Sequence, residues 1–567
     1  MHLANLPISK NKWEKEVEEM KRWYKLISLL FIGVLVMAGC SSSGAGANNQ
    51  AGQEIAVTSE GELASLDTIK SSDSPSLNVA SNTIEGLYRP APQDSDNLKE
   101  LGMAAEEPEI SEDGKTYTYK IREDAKWSTG EPVTAHDFVY TYRKAVTPPE
   151  LSQNVNRFFP INKAKEISEG KESPENLGVK ALDDKTLEFT LTSPTAYFED
   201  LLGTPAFLPQ SQKLAEEVGD DYGSSAEKTA FNGPFLVEGW TGTENSFDLV
   251  KNPDYWDAEN VQLNRINWEV SKELQTNYNL FNSGDVQYTQ TGNPYVEQLA
   301  GEPILQTSLN GKVGYLQFNF DKPILKNKHV RQALRSGFDK EAFTQAVLKD
   351  GSQSLDGWVP ADHVSDPASG QDFRAMNGHL GAYDLDFAQS EWKLAKQELG
   401  LDQIELELLT SDTDTSKATS EFLQGEWQNN LPGLTVTIRN VPLKSRQQIT
   451  NTGEYDMVYG TYHLSYVDPT AYLDYFHSQS ALNNANFDSE TYDSLLATAQ
   501  NELGDQPEAR FQKLLEAERY LMEDEAALGT IYQGAYAFLV DPKLTGVINQ
   551  TNGVTNYFRA ATYQTEN

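Results

Sequence analysis

Cysteine is nearly absent from this chain, since Cys40 is the only one among 567 residues. One cysteine cannot build a disulfide framework or a cysteine-based metal cluster within the chain. Basic residues are scarce as well: 46 lysines and arginines face 84 aspartates and glutamates, which gives a formal net charge of -38. Such a charge repels phosphate groups, so the composition excludes nucleic acid as a partner.

Long apolar runs are missing too. The longest, Leu26 to Gly39, is shorter than the roughly 20 residues that span a membrane. It follows the basic segment Lys21 to Lys25 and ends in small residues before Cys40, an order that is typical of an export signal. Met37 to Cys40 resembles the lipobox of bacterial lipoproteins, and this resemblance implies that Cys40 is lipidated. The alternative is an ordinary signal peptide with an incidental cysteine.

The segment before Met20 carries four glutamates, which do not fit the short basic start of a signal peptide. We therefore expect translation to begin at Met20 and residues 1–39 to be removed as the signal peptide. Residues 40–54 form the lipidated N-terminus and a linker rich in glycine, serine and asparagine. This composition is typical of a flexible tether.

Catalytic motifs are weak or missing. Ser225 to Lys228 matches S-x-x-K without its companion motifs, no G-x-S-x-G or H-E-x-x-H occurs, and the histidines are scattered. A glycine-rich phosphate loop and a dinucleotide fingerprint are also missing from the sequence. We predict no catalytic residue, no metal site and no cofactor, and hence no enzyme.

Local patterns predict a mixed α/β body. A turn signal at Asp113-Gly114 precedes alternating apolar and polar residues from Tyr117 to Ile121, the pattern of a half-buried strand. Thr134, followed three residues later by Asp137, predicts the capped start of a helix.

The last third of the chain continues the mixed pattern. Ile404 to Ser411 and Leu434 to Val441 have the composition of strands on either side of a helix, which predicts a βαβ unit in a parallel sheet. A long helical stretch, Glu490 to Asp524, is predicted before a strand from Thr530 to Val540.

Blocks of sequence in a fixed order resemble the peptide-binding proteins of ABC importers, which form extracellular solute-binding protein family 5. Glu109 to Ala145 is similar to the signature block of that family. Further blocks follow in the family's order: Asn176 to Leu202, Phe231 to Trp240, Lys251 to Ile266, Gly314 to Phe320 and Val330 to Lys340. The resemblance covers nearly the whole mature chain.

This resemblance implies a periplasmic-binding-protein-like α/β fold, bilobal of type II, with an additional inserted domain that makes three lobes. The expected boundaries are lobe I, residues 55–95, 224–312 and 530–567; lobe II, residues 96–223; and lobe III, residues 313–529. The chain is expected to cross between lobes I and III near Lys312 to Tyr315 and near Leu528 to Tyr532. The ligand would lie in a cleft between these lobes that closes by hinge motion.

The resemblance also implies which residues line the cleft. Oligopeptide receptors hold the peptide's α-amino group with an aspartate of lobe III, and Ser465 stands at that position here. Either another acid substitutes, with Asp468 the nearest candidate, or the amino end is held differently. A plain turn before Pro469 is the favoured interpretation of Asp468. The predicted substrate-binding residues are Ser72, Asp73, Ser74, Thr461, His463, Ser465 and Asp468.

The sequence thus predicts a lipid-anchored receptor on the extracellular side of the cell membrane, or in the periplasm of a cell with an outer membrane. It would bind oligopeptides and deliver them to the permease subunits of an ABC importer. We expect a monomer that touches the membrane through its lipid anchor only. A dipeptide, pheromone or nickel receptor is the alternative within the family, and a surface hydrolase or an adhesive surface protein is the alternative outside it.

Overall fold

The computed structural model describes residues 53–564, apart from positions 60, 72, 92–98, 150, 153, 367, 464–467, 481, 505 and 550–555. The predicted signal peptide, Cys40 and most of the linker lie outside the described residues, as do Ser72 and Ser465. Within the described ranges, no helix is both long enough and apolar enough to cross a membrane.

Short and long strands alternate with helices along the chain. The strands are β1 (Glu54–Ser59), β2 (Tyr88–Pro90), β3 (Lys99–Leu101), β4 (Glu109–Ile110), β5 (Thr116–Lys120), β6 (Val179–Asp183), β7 (Thr186–Thr190), β8 (Phe235–Glu238), β9 (Ser246–Lys251), β10 (Arg265–Val270), β11 (Tyr288–Gln290), β12 (Leu305–Phe318), β13 (Gln353–Ser354), β14 (Ile404–Ser411), β15 (Leu434–Val441), β16 (Met457–Tyr462), β17 (Leu528–Val540), β18 (Leu544–Thr545) and β19 (Thr562–Tyr563).

The helices are mostly short. They are α1 (Ser74–Thr83), α2 (Ala135–Ala145), α3 (Ala164–Ser168), α4 (Phe198–Leu202), α5 (Gln212–Val218), α6 (Leu274–Ser283), α7 (Tyr295–Gln298), α8 (Pro323–Lys326), α9 (Lys328–Ser336), α10 (Lys340–Phe343), α11 (Phe373–Asn377), α12 (Leu385–Leu399), α13 (Asp414–Asn430), α14 (Leu443–Thr452), α15 (Thr470–Leu473), α16 (Glu490–Ala497) and α17 (Pro507–Arg519). Single turns of π-helix follow α10, α16 and α17 at Thr344–Leu348, Thr498–Glu502 and Tyr520–Asp524.

One large sheet runs through most of the described chain. Its strand order is β15-β14-β16-β12-β17-β11-β1-β10-β9-β8, and β13 adds to β17. On one side, β14 lies parallel to β15 and β16, and we call these three strands the β14 half. On the other side, β1 lies parallel to β10 and β11. We call these three strands, together with β8 and β9, the β1 half. The long antiparallel strands β12 and β17 join the two halves.

A second, separate sheet has the order β4-β5-β7-β6 and is called the small sheet here. It lies within the range predicted for lobe II, whereas the β1 half and the β14 half lie within the ranges predicted for lobes I and III. The lobe boundaries themselves stay a prediction.

The predicted strand in the small sheet and the predicted helix start at Thr134 are confirmed. In β5, Tyr117 and Tyr119 are buried while Thr118 is half-buried, so the predicted alternation is present. Helix α2 begins directly after Thr134, whose backbone N–H donates to the Asp137 carboxylate at 2.8 Å. This contact satisfies one of the N–H groups that a helix start leaves without a partner.

The predicted βαβ unit is confirmed as well. Strands β14 and β15 have the expected bounds, lie parallel over their full length from Ile404 opposite Leu434 to Ser411 opposite Val441, and are connected by α13. The long helical stretch predicted from Glu490 to Asp524 is present, and it is divided into α16 and α17. Pro507 starts α17, and a proline lacks the N–H that would continue a preceding helix.

Strand β12 is buried on both faces at its C-terminal end. Val313 and Tyr315 enter one hydrophobic core together with Trp358, whereas Leu316 and Phe318 enter another on the opposite side. Alternate residues of a strand point to opposite faces, so a strand between two cores must be apolar on both. The crossing strand is therefore fixed within the β14 half by packing on two sides.

Candidate functional site

The pairing of the two crossing strands is interrupted at two points, of which the wider lies at residues 310–312 of β12. Leu309 pairs with Ala535 and Val313 pairs with Gln533, so residues 310–312 of β12 lie opposite Gly534 alone. A Cβ on Gly534 would lie 2.9 Å from Asn310 Oδ1, so a larger residue here would displace the Asn310 side chain. This bulge frees the backbone from the ladder between the β1 half and the β14 half.

A cavity of about 400 Å³ lies against the bulge. Its lining is mainly polar. The β1 half contributes Thr291 and Asn293, the crossing strands contribute Lys312 and Tyr536, and the β14 half contributes Asp350 and His463. A cavity whose walls belong to both halves of the sheet changes shape when the halves move. Pockets at such interfaces are the usual place for a ligand.

An ion pair bridges the two halves beside this cavity. Lys349 Nζ lies 3.0 Å from a carboxylate oxygen of Glu297 in α7, which follows β11 of the β1 half. Lys349 itself precedes β13, which pairs with β17 at Gln533 and Tyr532. The segment that carries Asp350 is therefore held against the crossing strands and tied to the opposite half.

The predicted contact segment at the end of β16 reaches the cavity. Thr461 pairs with Gly314 of β12 and exposes its side chain, and His463 lines the cavity. In the described pairings, β16 meets β14 only at Met457 and Val458. Beyond Val458, the edge of β16 that faces away from β12 has no strand partner in the described part of the chain, and Arg446 donates to the Tyr459 carbonyl at 2.9 Å. Past Tyr459, such an edge can pair with an extended ligand.

Asp468 lies just beyond that segment and is buried in an ion pair. Its two carboxylate oxygens accept hydrogen bonds from Arg510 at 2.7 and 2.8 Å, and Oδ1 also accepts from the Thr470 N–H at 2.9 Å. Burial lowers the pKa of Arg510, but the charge of Asp468 outweighs it and holds this pKa above its usual value. The Thr470 contact fits the turn interpretation, the ion pair with Arg510 was not predicted, and the ligand role of Asp468 stays a prediction.

The small-sheet part of the molecule touches the β14 half at this ion pair. The Tyr197 ring lies 5.6 Å from the Arg510 guanidinium, and its hydroxyl bonds with Thr470. Nearby, burial raises the pKa of Asp474 to about 7, and the charge of Asp468 adds to the rise. Gln500 donates a hydrogen bond to Asp474 at 2.7 Å.

The predicted segment of the β1 half forms a helix start. The carboxylate of Asp73 accepts from the Ser76 N–H at 2.9 Å and so caps α1, in which Ser74 is the first residue. Asp73 and Ser74 are both exposed. The cap uses one carboxylate oxygen and leaves the charge available to solvent or to a ligand. Whether this segment meets the peptide stays a prediction.

An aromatic cluster packs against the end of β16. The Tyr462 ring stacks on Trp358 with 5.5 Å between ring centroids, and Trp358 Nε1 donates to the Tyr472 carbonyl at 2.6 Å. The Tyr315 and Tyr475 hydroxyls are hydrogen-bonded at 2.7 Å, and burial raises the pKa of Tyr315 well above its usual value. These rings give the cavity edge a rigid base. Trp358 gave no sequence signal, because its role depends on contacts with residues more than a hundred positions away.

The chemistry available in the cavity is that of hydrogen bonding and charge. Side-chain amides of Asn293 and Asn310 both donate and accept, Lys312 supplies a positive charge and Asp350 a negative one. Over the described residues, no three metal-binding side chains gather into a cluster. Sequence reasoning had marked the crossing at Lys312, but it missed Asp350, which enters the site only through the pairing of β13 with β17.

Known proteins share both the sequence and the fold. The chain matches the model of the bacterial extracellular solute-binding proteins, family 5 Middle, over residues 101–484. It is 30% identical to a dipeptide-binding protein of Lactococcus lactis subsp. cremoris over 93% of this chain and 98% of that protein. It is 28% identical to the oligopeptide-binding protein OppA of Bacillus subtilis over 96% of this chain and 100% of that protein.

Solved structures agree. The peptide-bound OppA of Listeria monocytogenes superimposes with a TM-score of 0.74 and 35% identity, covering 91% of this chain and all of that one. The predicted fold class is thereby confirmed: a mixed α/β fold of the type II periplasmic-binding-protein kind with several domains.

Proposed function

The chain belongs to the family 5 extracellular solute-binding proteins of bacteria, and from this premise we propose that it binds oligopeptides and delivers them to an ABC importer. The observation that carries the proposal is the polar cavity at the bulge, because its walls come from both halves of the sheet and from the strands that join them. A ligand there is enclosed when the halves approach each other. On this proposal the protein performs no catalysis.

We place the peptide alongside the end of β16. An extended peptide can add as a strand to an unpaired edge, so that main-chain hydrogen bonds hold it whatever its side chains are. Thr461, His463 and Ser465 would lie along it from the β14 half, and Ser72, Asp73 and Ser74 from the β1 half. Water in a polar cavity can fill the space around different side chains at little free-energy cost. This would give a receptor that tolerates many sequences.

Mass spectrometry of the bound ligand tests the proposal. Protein purified without refolding is denatured, and the released molecules are identified against a blank from buffer passed over the same resin. We expect peptides of several residues with varied sequences. Recovery of nickel or a sugar in stoichiometric amount, with no peptide, would overturn the assignment.

A dipeptide receptor is the second candidate, because the Lactococcus lactis relative carries that name. The two candidates differ in the length of the ligand. If the eluted molecules are dipeptides only, and longer peptides fail to compete with them in a binding assay, the dipeptide assignment replaces the oligopeptide one.

The membrane anchor is proposed separately. We propose that Cys40 carries a lipid that holds the receptor on the outer side of the cell membrane, next to the permease. Cys40→Ser should release the protein into the medium or leave it unprocessed, as measured by fractionation and by the mass of the N-terminal peptide. Ser41→Ala is the matched control. A Cys40→Ser protein that fractionates and is processed like the wild type would contradict the anchor.

A further inference from the structure

Two charged side chains in the cavity have no ion-pair partner in the part of the chain that the structure describes. The Asp350 carboxylate contacts one donor, the Ser352 N–H at 3.0 Å, which occupies Oδ1. Lys312 is exposed, and its Nζ forms no ion pair with a described carboxylate. Asp350 and Lys312 line the same cavity, yet they do not pair with each other.

The backbone that carries each charged side chain is held in place. Asp350 lies between Lys349, which is bound to Glu297, and β13, which is paired to β17. Because Lys349 already has its own carboxylate, it does not neutralise Asp350. Lys312 belongs to the bulge, where its N–H donates to Asn310 Oδ1 at 2.9 Å. A fixed backbone limits the positions that each charge can reach, which lowers the entropy cost of binding a ligand.

From this arrangement we propose that the cavity recognises the two charged groups of a zwitterionic peptide: Asp350 binds an ammonium group and Lys312 a carboxylate. The proposal deepens the peptide-binding function and rests on it. It assigns an acid to the peptide's amino group that is neither Asp468, whose carboxylate is occupied by Arg510, nor a residue of the 461–465 segment. The ammonium group is the peptide's N-terminus or a lysine side chain.

The physical reason is the cost of an unpaired charge. In the open cavity, water solvates both side chains. When the cavity closes on a peptide, that water is lost, and each charge is stable only if the ligand supplies the opposite one. A peptide with a blocked amino group would leave the Asp350 carboxylate without a partner. The cavity should therefore discriminate against blocked ends more strongly than against any change of side chain.

Two variants with opposite expectations test the proposal. Lysine-free alanine peptides of graded length are prepared unmodified, N-acetylated or C-amidated, and their dissociation constants are measured by calorimetry with ligand-stripped protein. Asp350→Asn keeps an oxygen for the Ser352 N–H and removes the charge. Lys312→Gln removes the other charge. Asp386→Asn, at an exposed site on α12, is the matched control.

We expect the wild type to bind unmodified peptides about tenfold or more tightly than N-acetylated ones, a difference that Asp350→Asn abolishes and Lys312→Gln retains. Lys312→Gln should in turn abolish the preference for a free carboxylate. If N-acetylation has no effect on these peptides, the same comparison with one lysine, free or acetylated, identifies the side-chain ammonium instead. Thermal unfolding checks that both variants are folded.

Three results separate failure of this inference from failure of the proposed function. If the wild type binds none of the peptides and elutes none, the peptide-binding function is wrong. If it binds peptides but Asp350→Asn keeps the same preference for free ammonium groups, the assignment of Asp350 is overturned. If Lys312→Gln and Asp350→Asn lose affinity equally for every form, the charges do not recognise peptide ends, and the proposal also fails.

Discussion

Asp468→Asn should destabilise the protein whether or not a peptide is bound. Asp468 and Arg510 expose only 7% of each side chain and share two hydrogen bonds of 2.7 and 2.8 Å. Removing one partner of a buried pair leaves the other charge unpaired, which costs about 3–5 kcal/mol. Asparagine retains an oxygen for the Thr470 N–H, but it turns an amide NH₂ towards the guanidinium. The whole of that cost should therefore appear in the free energy of unfolding.

A double-mutant cycle measures the pair itself. Arg510→Met leaves the Asp468 carboxylate unpaired and should cost a similar amount, whereas the double variant removes both charges and should cost clearly less than the sum. Urea unfolding is followed by tryptophan fluorescence, to which Trp358, in the same core as α17, contributes as one of nine tryptophans. Asp488→Asn, an exposed site near α16, is the control.

The cycle also decides the role of Asp468. If Asp468→Asn unfolds like the wild type but loses peptide affinity, Asp468 is a ligand group and the structural interpretation is refuted. If stability falls and the residual folded protein binds peptide normally, the carboxylate serves the fold. Hydrogen exchange in α15 and α17, the two elements that the pair connects, should rise in the same variants.

Two further predictions follow from single positions. The folded pKa of Asp474, about 7, lies above its usual value of 3.8, so its contribution to stability is present at low pH and is lost as pH rises through 7. Asp474→Asn should remove this loss and be more stable than the wild type at pH 8, by at most about 4 kcal/mol since partial exposure reduces the effect; equal pH profiles in urea unfolding would contradict this. A Cβ on Gly314 would lie 2.1 Å from the Tyr532 ring, so Gly314→Ala should cost about 1–3 kcal/mol and slow peptide release or capture. Its control is Gly425→Ala in α13, where no atom lies within 4 Å and a gain of up to about 1 kcal/mol is expected; a Gly314→Ala protein as stable as this control would refute the packing argument.

The sequence determined most of the local structure where patterns are strong. Strands β14 and β15 could be predicted with their bounds, because apolar and polar residues alternate at the start of each and the helix between them is long. The break between α16 and α17 is marked in the sequence by Gly504 and Pro507, but the helix formers on both sides led to the prediction of one long helical stretch.

The site was less predictable, because it is made by contacts between distant parts of the chain. Lys312 was marked by the family resemblance, which placed a crossing near it. Asp350 enters the cavity because β13 pairs with β17 almost two hundred residues later. The role of Asp468 depends on its ion pair with Arg510, and neither the neighbours of Asp468 in sequence nor its turn position predicts that partner. Such contacts leave no periodic signal in one sequence.

The continuity of the large sheet has a mechanical consequence. Because β12 pairs with β16 of the β14 half, β17 pairs with β11 of the β1 half, and the two strands pair with each other, one half cannot rotate against the other without twisting them. The twist is easiest where the ladder is interrupted over the most residues, at 310–312 opposite Gly534. The residues about which the halves would rotate are then the same residues that line the cavity at the bulge. A fluorophore attached at position 312 would report the opening angle and ligand occupancy with one signal.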